Sequence, residues 1–173
     1  MMRSKYIIPV LAVLLLSGCA INMYTSNMIV KNRMMNYSST GKTVHVEFSV
    51  SNDVYDFHKK VLNNHIDTIR LAMDQSVANS GLFLIDTVKS QLVIQSEVIY
   101  CKQPSFGLNY PTDLKIQYVV LEEEKVLFNT EVTNEYEADF ADAFSARRRA
   151  RMSLENAIKQ NFEEFIKLMH EQF

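Results

Sequence analysis

Thr43-Val44-His45-Val46-Glu47-Phe48-Ser49-Val50 alternates strictly: Val44, Val46, Phe48 and Val50 fall on one face, and Thr43, His45, Glu47 and Ser49 on the other. A period of two is that of a half-buried strand. The rhythm then changes. Ser51-Asn52-Asp53 offers side-chain oxygens for the free N–H groups of a helix start. Phe57, Val61, Ile66, Ile69, Met73 and Val77 follow at spacings of three to five, which predicts one long amphipathic helix. Asn79-Ser80-Gly81 stops it, with Gly81 able to adopt the left-handed conformation that ends many helices.

Downstream, Leu82 to Ile85 reads as a short strand, and Gln91 to Tyr100 as a longer one with Leu92, Ile94, Val98 and Tyr100 on one face. After a looser stretch from Lys102 to Thr112, Leu114, Ile116, Tyr118 and Val120 alternate with Lys115, Gln117 and Val119. Glu122-Glu123-Glu124-Lys125 turns the chain into Val126, Phe128, Thr130, Val132, Asn134 and Tyr136. The three long strands suit an antiparallel meander. From about Asp139 to the C-terminus, Phe144, Leu154, Ile158, Phe162, Phe165 and Met169 form the stripe of a second long helix. Glu155/Lys159 and Glu163/Lys167 would be its i,i+4 pairs, and Asp139 and Asp142 would sit at its positive end. The order β-α-β-β-β-β-α predicts an α+β two-layer sandwich: a mixed, mostly antiparallel sheet of about five strands, with two long amphipathic helices on one face.

The chain has 173 residues, a formal net charge of −2, 47% hydrophobic and 22% charged residues. Those values suit a globular domain with a real core and argue against nucleic acid as a partner, which would call for a basic domain. The N-terminus has another character. Arg3 and Lys5 precede an apolar run, Tyr6 to Leu16, which gives way to Ser17 and Gly18 and then to polar residues. This is the layout of a secretory signal. It is too short for a membrane-spanning helix, which takes about 20 apolar residues.

Leu16-Ser17-Gly18-Cys19 resembles a bacterial lipobox. That resemblance implies cleavage before Cys19, a diacylglycerol on its thiol, and commonly an acyl group on the new N-terminus. Residues 1–18 would be the signal peptide, 19–42 a lipidated N-terminus and flexible tether, and 43–173 a periplasmic α+β domain. Two or more acyl chains hold a protein stably on a bilayer without spanning it. In Gram-negative lipoproteins an aspartate after the cysteine favours the inner membrane. Here that residue is Ala20, which, if the source is Gram-negative, implies the periplasmic face of the outer membrane. Ala20 to Lys42 shows no sustained period, and as a coil it would span roughly 25–30 Å, unless apolar residues such as Met28, Ile29 and Met34 pack on the domain or on the lipid surface. Cys101, the other of the two cysteines, is left without a disulfide partner; a buried inert thiol and a reactive one are both compatible with that.

The chain also resembles small envelope lipoproteins of the YajG-like kind and, more loosely, the N-terminal region of curli-secretion and TolB-type periplasmic proteins. The lipobox carries the resemblance, with the order of elements, the helix stop into a strand at Asn79-Ser80-Gly81-Leu82-Phe83, and Ser153-Leu154-Glu155-Asn156-Ala157-Ile158 in the terminal helix. It implies this fold and an accessory role in the envelope.

No catalytic or metal-binding pattern is legible. His58 and His65 lie two turns apart, about 10.5 Å, too far to share a zinc ion whose ligands sit at ~2.1 Å. No Gly-rich phosphate loop, GxSxG or HExxH occurs, so no catalytic residue, metal or cofactor is expected. Two stretches are candidates for contact with a partner or with lipid headgroups. Arg147, Arg148, Arg149 and Arg151 could grip phosphate or carboxylate, or be a solvated helix shoulder paired with Glu155, Asp142 or the acidic stretch Glu135 to Asp139. Phe106, Leu108 and Tyr110 could be offered to a partner, or fold back over the sheet edge.

Three functional readings follow. The leading one is a non-enzymatic adaptor or accessory subunit of an envelope complex, with the lipid bilayer (through Cys19) and an envelope protein as partners. The alternative is a binder of a small amphiphile or lipid, with Met73, Phe162 and Phe165 lining a cavity between sheet and helices. The third is an enzyme acting on envelope glycans or lipids, for which acid and base side chains would have to cluster.

Overall fold

Val44, Val46 and Phe48 point inward from β1 (Thr43–Val50), as the alternation predicts. The computed structural model describes residues 21–31, 39–86, 89–104 and 107–173. Within them, α1 (Thr25–Met28) precedes β1, and α2 (Asp56–Asn64) and α3 (Ile66–Ser80) follow it. Next come β2 (Leu84–Ile85), β3 (Leu92–Lys102), β4 (Tyr110–Glu122), β5 (Lys125–Ala138) and α4 (Ala146–Gln172). The sheet order is β2-β1-β3-β4-β5, with β1 parallel to both neighbours and β3-β4-β5 an antiparallel meander. The fold is the α+β arrangement of a five-stranded mixed sheet with helices packed on it.

The core lies between that sheet and the helices. Leu92, Ile94, Leu114, Ile116, Tyr118 and Val120 from the strands meet Ile69, Met73, Ile158, Phe162 and Phe165 from α3 and α4, all at most 1% exposed. Tyr118 stacks on Phe165 at 4.0 Å between centroids. The buried Tyr118 hydroxyl donates to Asn161 Oδ1 at 2.7 Å, and the Asn161 amide donates in turn to the Val132 carbonyl and to Asn134 Oδ1. Burial pushes that hydroxyl well above the usual tyrosine range, which keeps it a proton donor.

Four elements differ from the sequence expectation. The first long helix is interrupted at His65, whose N–H bonds to the Leu62 carbonyl. Leu62 is therefore the buried residue of α2, while Phe57 is 50% exposed. Ser51 to Asp53 makes a turn before α2, which starts at Asp56 without a side-chain cap. A bulge between Val98 and Tyr100 adds one residue to β3 and reverses the alternation, so Tyr100 faces out and Cys101 faces in. The last helix begins at Ala146, not Asp139. Asp139 Oδ1 accepts the Ala141 and Asp142 N–H groups and Asp142 Oδ2 accepts that of Asp139, so both carboxylates close a turn instead of sitting in the helix. Phe144 lies in the connection and is 86% exposed. The helix stop at Gly81 (φ 74°) is as expected.

Candidate functional site

The N-terminal segment is not a tether over residues 21–31. Met23, Met28 and Val30 are buried in the main core, Met28 completely. Polar bonds fix the path as well. The Val30 N–H donates to Ser76 Oγ at 2.9 Å, Asn79 Nδ2 donates to the Val30 carbonyl at 3.1 Å, and His65 Nε2 meets the Ile21 carbonyl. Cys19 and Phe106 lie outside the described residues.

Glu155 on α4 is the anchor of this segment. Its carboxylate is 1% exposed and accepts the Tyr24 N–H at 2.7 Å and the Asn27 amide at 2.8 Å. Arg151, one turn earlier, lies 3.7 Å from the same carboxylate and sets its guanidinium 4.8 Å over the Tyr24 ring. The partners of Glu155 are therefore this segment, in place of the i,i+4 pair expected with Lys159, and Arg151, in line with the expectation that the arginine run pairs with Glu155. Likewise Lys167 pairs with Glu164 at 3.7 Å, where Glu163 was expected.

The arginine run divides by helical phase. Arg149 points inward and is 3% exposed. Its Nη1 donates to the carbonyls of Ala143 and Phe144 at 2.7 and 2.8 Å, and its Nη2 to that of Gly107 at 3.4 Å. The same guanidinium packs against the rings of Tyr110 and Phe140. Arg149 and Tyr110, two of the residues expected to meet a partner, are thus interior. Together they tie the loop at Gly107 to the connection before α4.

Arg147 and Arg148 face outward and Arg151 is half-buried. With Ser145, Ile21, Asn22 and Tyr24 they line a groove of about 270 Å³. Beside it, Leu108 is 73% and Phe140 51% exposed, and the rings of Phe140 and Phe144 meet edge-on at 5.2 Å. The first turn of α4 contains no acidic residue and Ser145 supplies no side-chain cap. Each exposed arginine at this positive helix end disfavours the helix by about 0.3–1 kcal/mol at low ionic strength.

Elsewhere the chemistry is structural. Burial, reinforced by the charge of Asp113, pushes the Cys101 thiol up to about 12, which makes it the inert alternative. His58 Nε2 lies 3.2 Å from the Gln103 carbonyl oxygen, and among the described residues no group of three or more His, Cys, Asp and Glu is placed to hold a metal ion. Among the described residues, Met73, Phe162 and Phe165 are packed in the core and do not line the amphiphile cavity expected between sheet and helices. The space lined by Val77, Ile94, Phe165 and Met169 amounts to about 10 Å³, room for one water at most. Among the described residues no helix is long and apolar enough to cross a membrane.

No protein-family model matches the chain, and neither does any curated protein. Among solved structures it is similar in fold to protein XCC0632 from Xanthomonas campestris, with a TM-score of 0.58 and 9% identity over 83% of this chain and 93% of that one. It is also similar to protein CT253 from Chlamydia trachomatis, at 0.51 and 7%, over 77% and 98%. More distant is the uncharacterized lipoprotein B from Nitrosomonas europaea, at 0.48 and 11%, over 83% and 91%. What is shared with the first two is the α+β fold.

Proposed function

We propose that this chain is a lipid-anchored, non-enzymatic accessory protein of the bacterial cell envelope, of the YajG-like kind. Acylated Cys19 holds it on the periplasmic face of the outer membrane, and its α+β domain serves as an adaptor to an envelope protein. The observation that carries this reading is Leu16-Ser17-Gly18-Cys19 at the end of a short apolar run behind Arg3 and Lys5. In this reading residues 21–31, which pack against α3 and α4, are the part of the chain that follows the anchor. Residues 1–18 are removed in this reading, and Ala20 lets the protein proceed to the outer membrane.

Labelling with a fatty-acid analogue, followed by separation of inner and outer membranes, tests the anchor. The wild-type chain is expected to incorporate label and fractionate with the outer membrane, and Cys19→Ser to lose both properties. A Cys19→Ser chain that still takes up label overturns the reading. Mild crosslinking in the envelope before purification tests the adaptor role; recovery of the protein alone counts against it.

A further inference from the structure

We propose that the end of the domain carrying Arg147, Arg148, Arg151, Phe140, Phe144 and Leu108 is a membrane-docking face. Its arginine groove holds the phosphates of anionic phospholipid headgroups in the leaflet that takes the anchor. For its geometry this rests on the lipid-anchored reading.

Three observations converge on that occupant. The first is reach. Ile21 lines the groove with Arg147 and Arg148, and Cys19 is only two residues upstream, at most about 7 Å of extended chain. The headgroup layer on each side of a bilayer is ~5–8 Å thick, so acyl chains buried beneath Cys19 bring the groove to phosphate level.

The second is charge. Guanidinium forks suit phosphate oxygens, and these arginines occupy the helix end where their charge does not help the helix. A positive charge at the positive helix end breaks a local rule, and such departures are expected at functional surfaces. The nearby carboxylates of Asp139 and Asp142 accept N–H groups of their own turn, and Glu155 is buried and paired with Arg151.

The third is the apolar rim. Phe144, Phe140 and Leu108 are exposed on two loops that buried Arg149 ties together through the Phe144 and Gly107 carbonyls. Aromatic and aliphatic side chains beside arginines are the composition of surfaces that sink shallowly into the headgroup boundary.

The test uses the mature acylated chain in vesicles of phosphatidylethanolamine with a minor share of phosphatidylglycerol. An environment-sensitive dye is attached at Phe144→Cys or, at the far end of the β4–β5 hairpin, at Lys125→Cys. Buried Cys101 stays unlabelled. Doxyl-labelled lipid is expected to quench the dye at position 144 several-fold more than at 125. An Arg147→Glu/Arg148→Glu chain should fall to the level of position 125 while still floating with the vesicles. Equal, weak quenching at both positions in floated protein overturns the docking face and leaves the anchor standing. Quenching indifferent to the charge reversal overturns the phosphate contact, and shielding at 144 that needs a protein and no lipid overturns the bilayer as occupant. If the acylated chain does not float, the anchor reading fails. The Cys19→Ser chain mixed with the same vesicles at low salt then decides the docking face alone: quenching at 144 supports it and none overturns it.

Discussion

The carboxylate of Glu155 accepts the backbone N–H of Tyr24 at 2.7 Å although the two residues are 131 positions apart. One charged acceptor on the last helix thereby fixes the chain close behind Cys19.

Replacing Glu155 by alanine removes two part-buried hydrogen bonds, to Tyr24 and Asn27, and hydrogen bonds to a charged group are worth about 1.5–3 kcal/mol each. We expect Glu155→Ala to destabilise the domain by about 2–4 kcal/mol, read from the urea midpoint. Limited proteolysis should open first between residues 21 and 31. A Glu155→Ala chain with an unchanged midpoint would refute the anchor.

At Arg148 the expected sign is the reverse. Glutamate there places negative charge at the positive end of α4, and Arg148→Glu should stabilise the fold by roughly 0.5–1 kcal/mol, seen as a small rise in Tm at low salt that high salt removes. A lower Tm would mean that the arginine supports the helix.

Burial lowers the pKa of His58, with the Gln103 carbonyl bond partly opposing, and burial lowers that of His170. The native state therefore binds fewer protons than the unfolded chain just below the ordinary histidine value of 6.5. Their contribution to stability is complete above about 6.5 and is lost as pH falls through the lowered native values. Asp74 behaves oppositely. Burial raises it above 3.8 against the pull of Arg70 and His45, so its contribution is present in acid and disappears as pH rises through its native value. Urea midpoints should fall between about pH 7 and 5.5, and a His58→Gln/His170→Gln chain should flatten that decline.

With its thiol pushed up to about 12 and 4% exposed, Cys101 should resist aromatic disulfide reagents in the native protein and react fully once unfolded. Rapid modification of the native protein at mildly alkaline pH would contradict its placement.

The sequence carried the sheet well, because alternation is a local signal. β1, the core face of β4 and the Glu122-to-Lys125 turn are where the period of two puts them. What it concealed depends on tertiary structure. One extra residue at the β3 bulge turns Cys101 inward and Tyr100 outward, and composition does not mark that residue. The packing of Met23, Met28 and Val30 has no period of its own, since it follows the shape of α3 and α4 rather than a repeating face. At the candidate site the arginine run was visible and its division was not. Arg149 lies four residues before Ser153, eight before Ala157 and twelve before Asn161, all of them inward-facing. An apolar stripe does not reveal this row, because most of its members are polar. Counting in fours from Asn161 would have separated Arg149 from Arg147, Arg148 and Arg151.

The Glu155 contact also sets an order of events. A chain that leaves the cytoplasm N-terminus first delivers Tyr24 long before Glu155, and β1 before the strands β2 and β3 that flank it. In the lipid-anchored reading proposed above, the segment behind Cys19 lacks its acceptor until α4 has emerged, and completion of that helix then holds it down; in that reading acylation precedes the last step of folding, with the C-terminus as the timer.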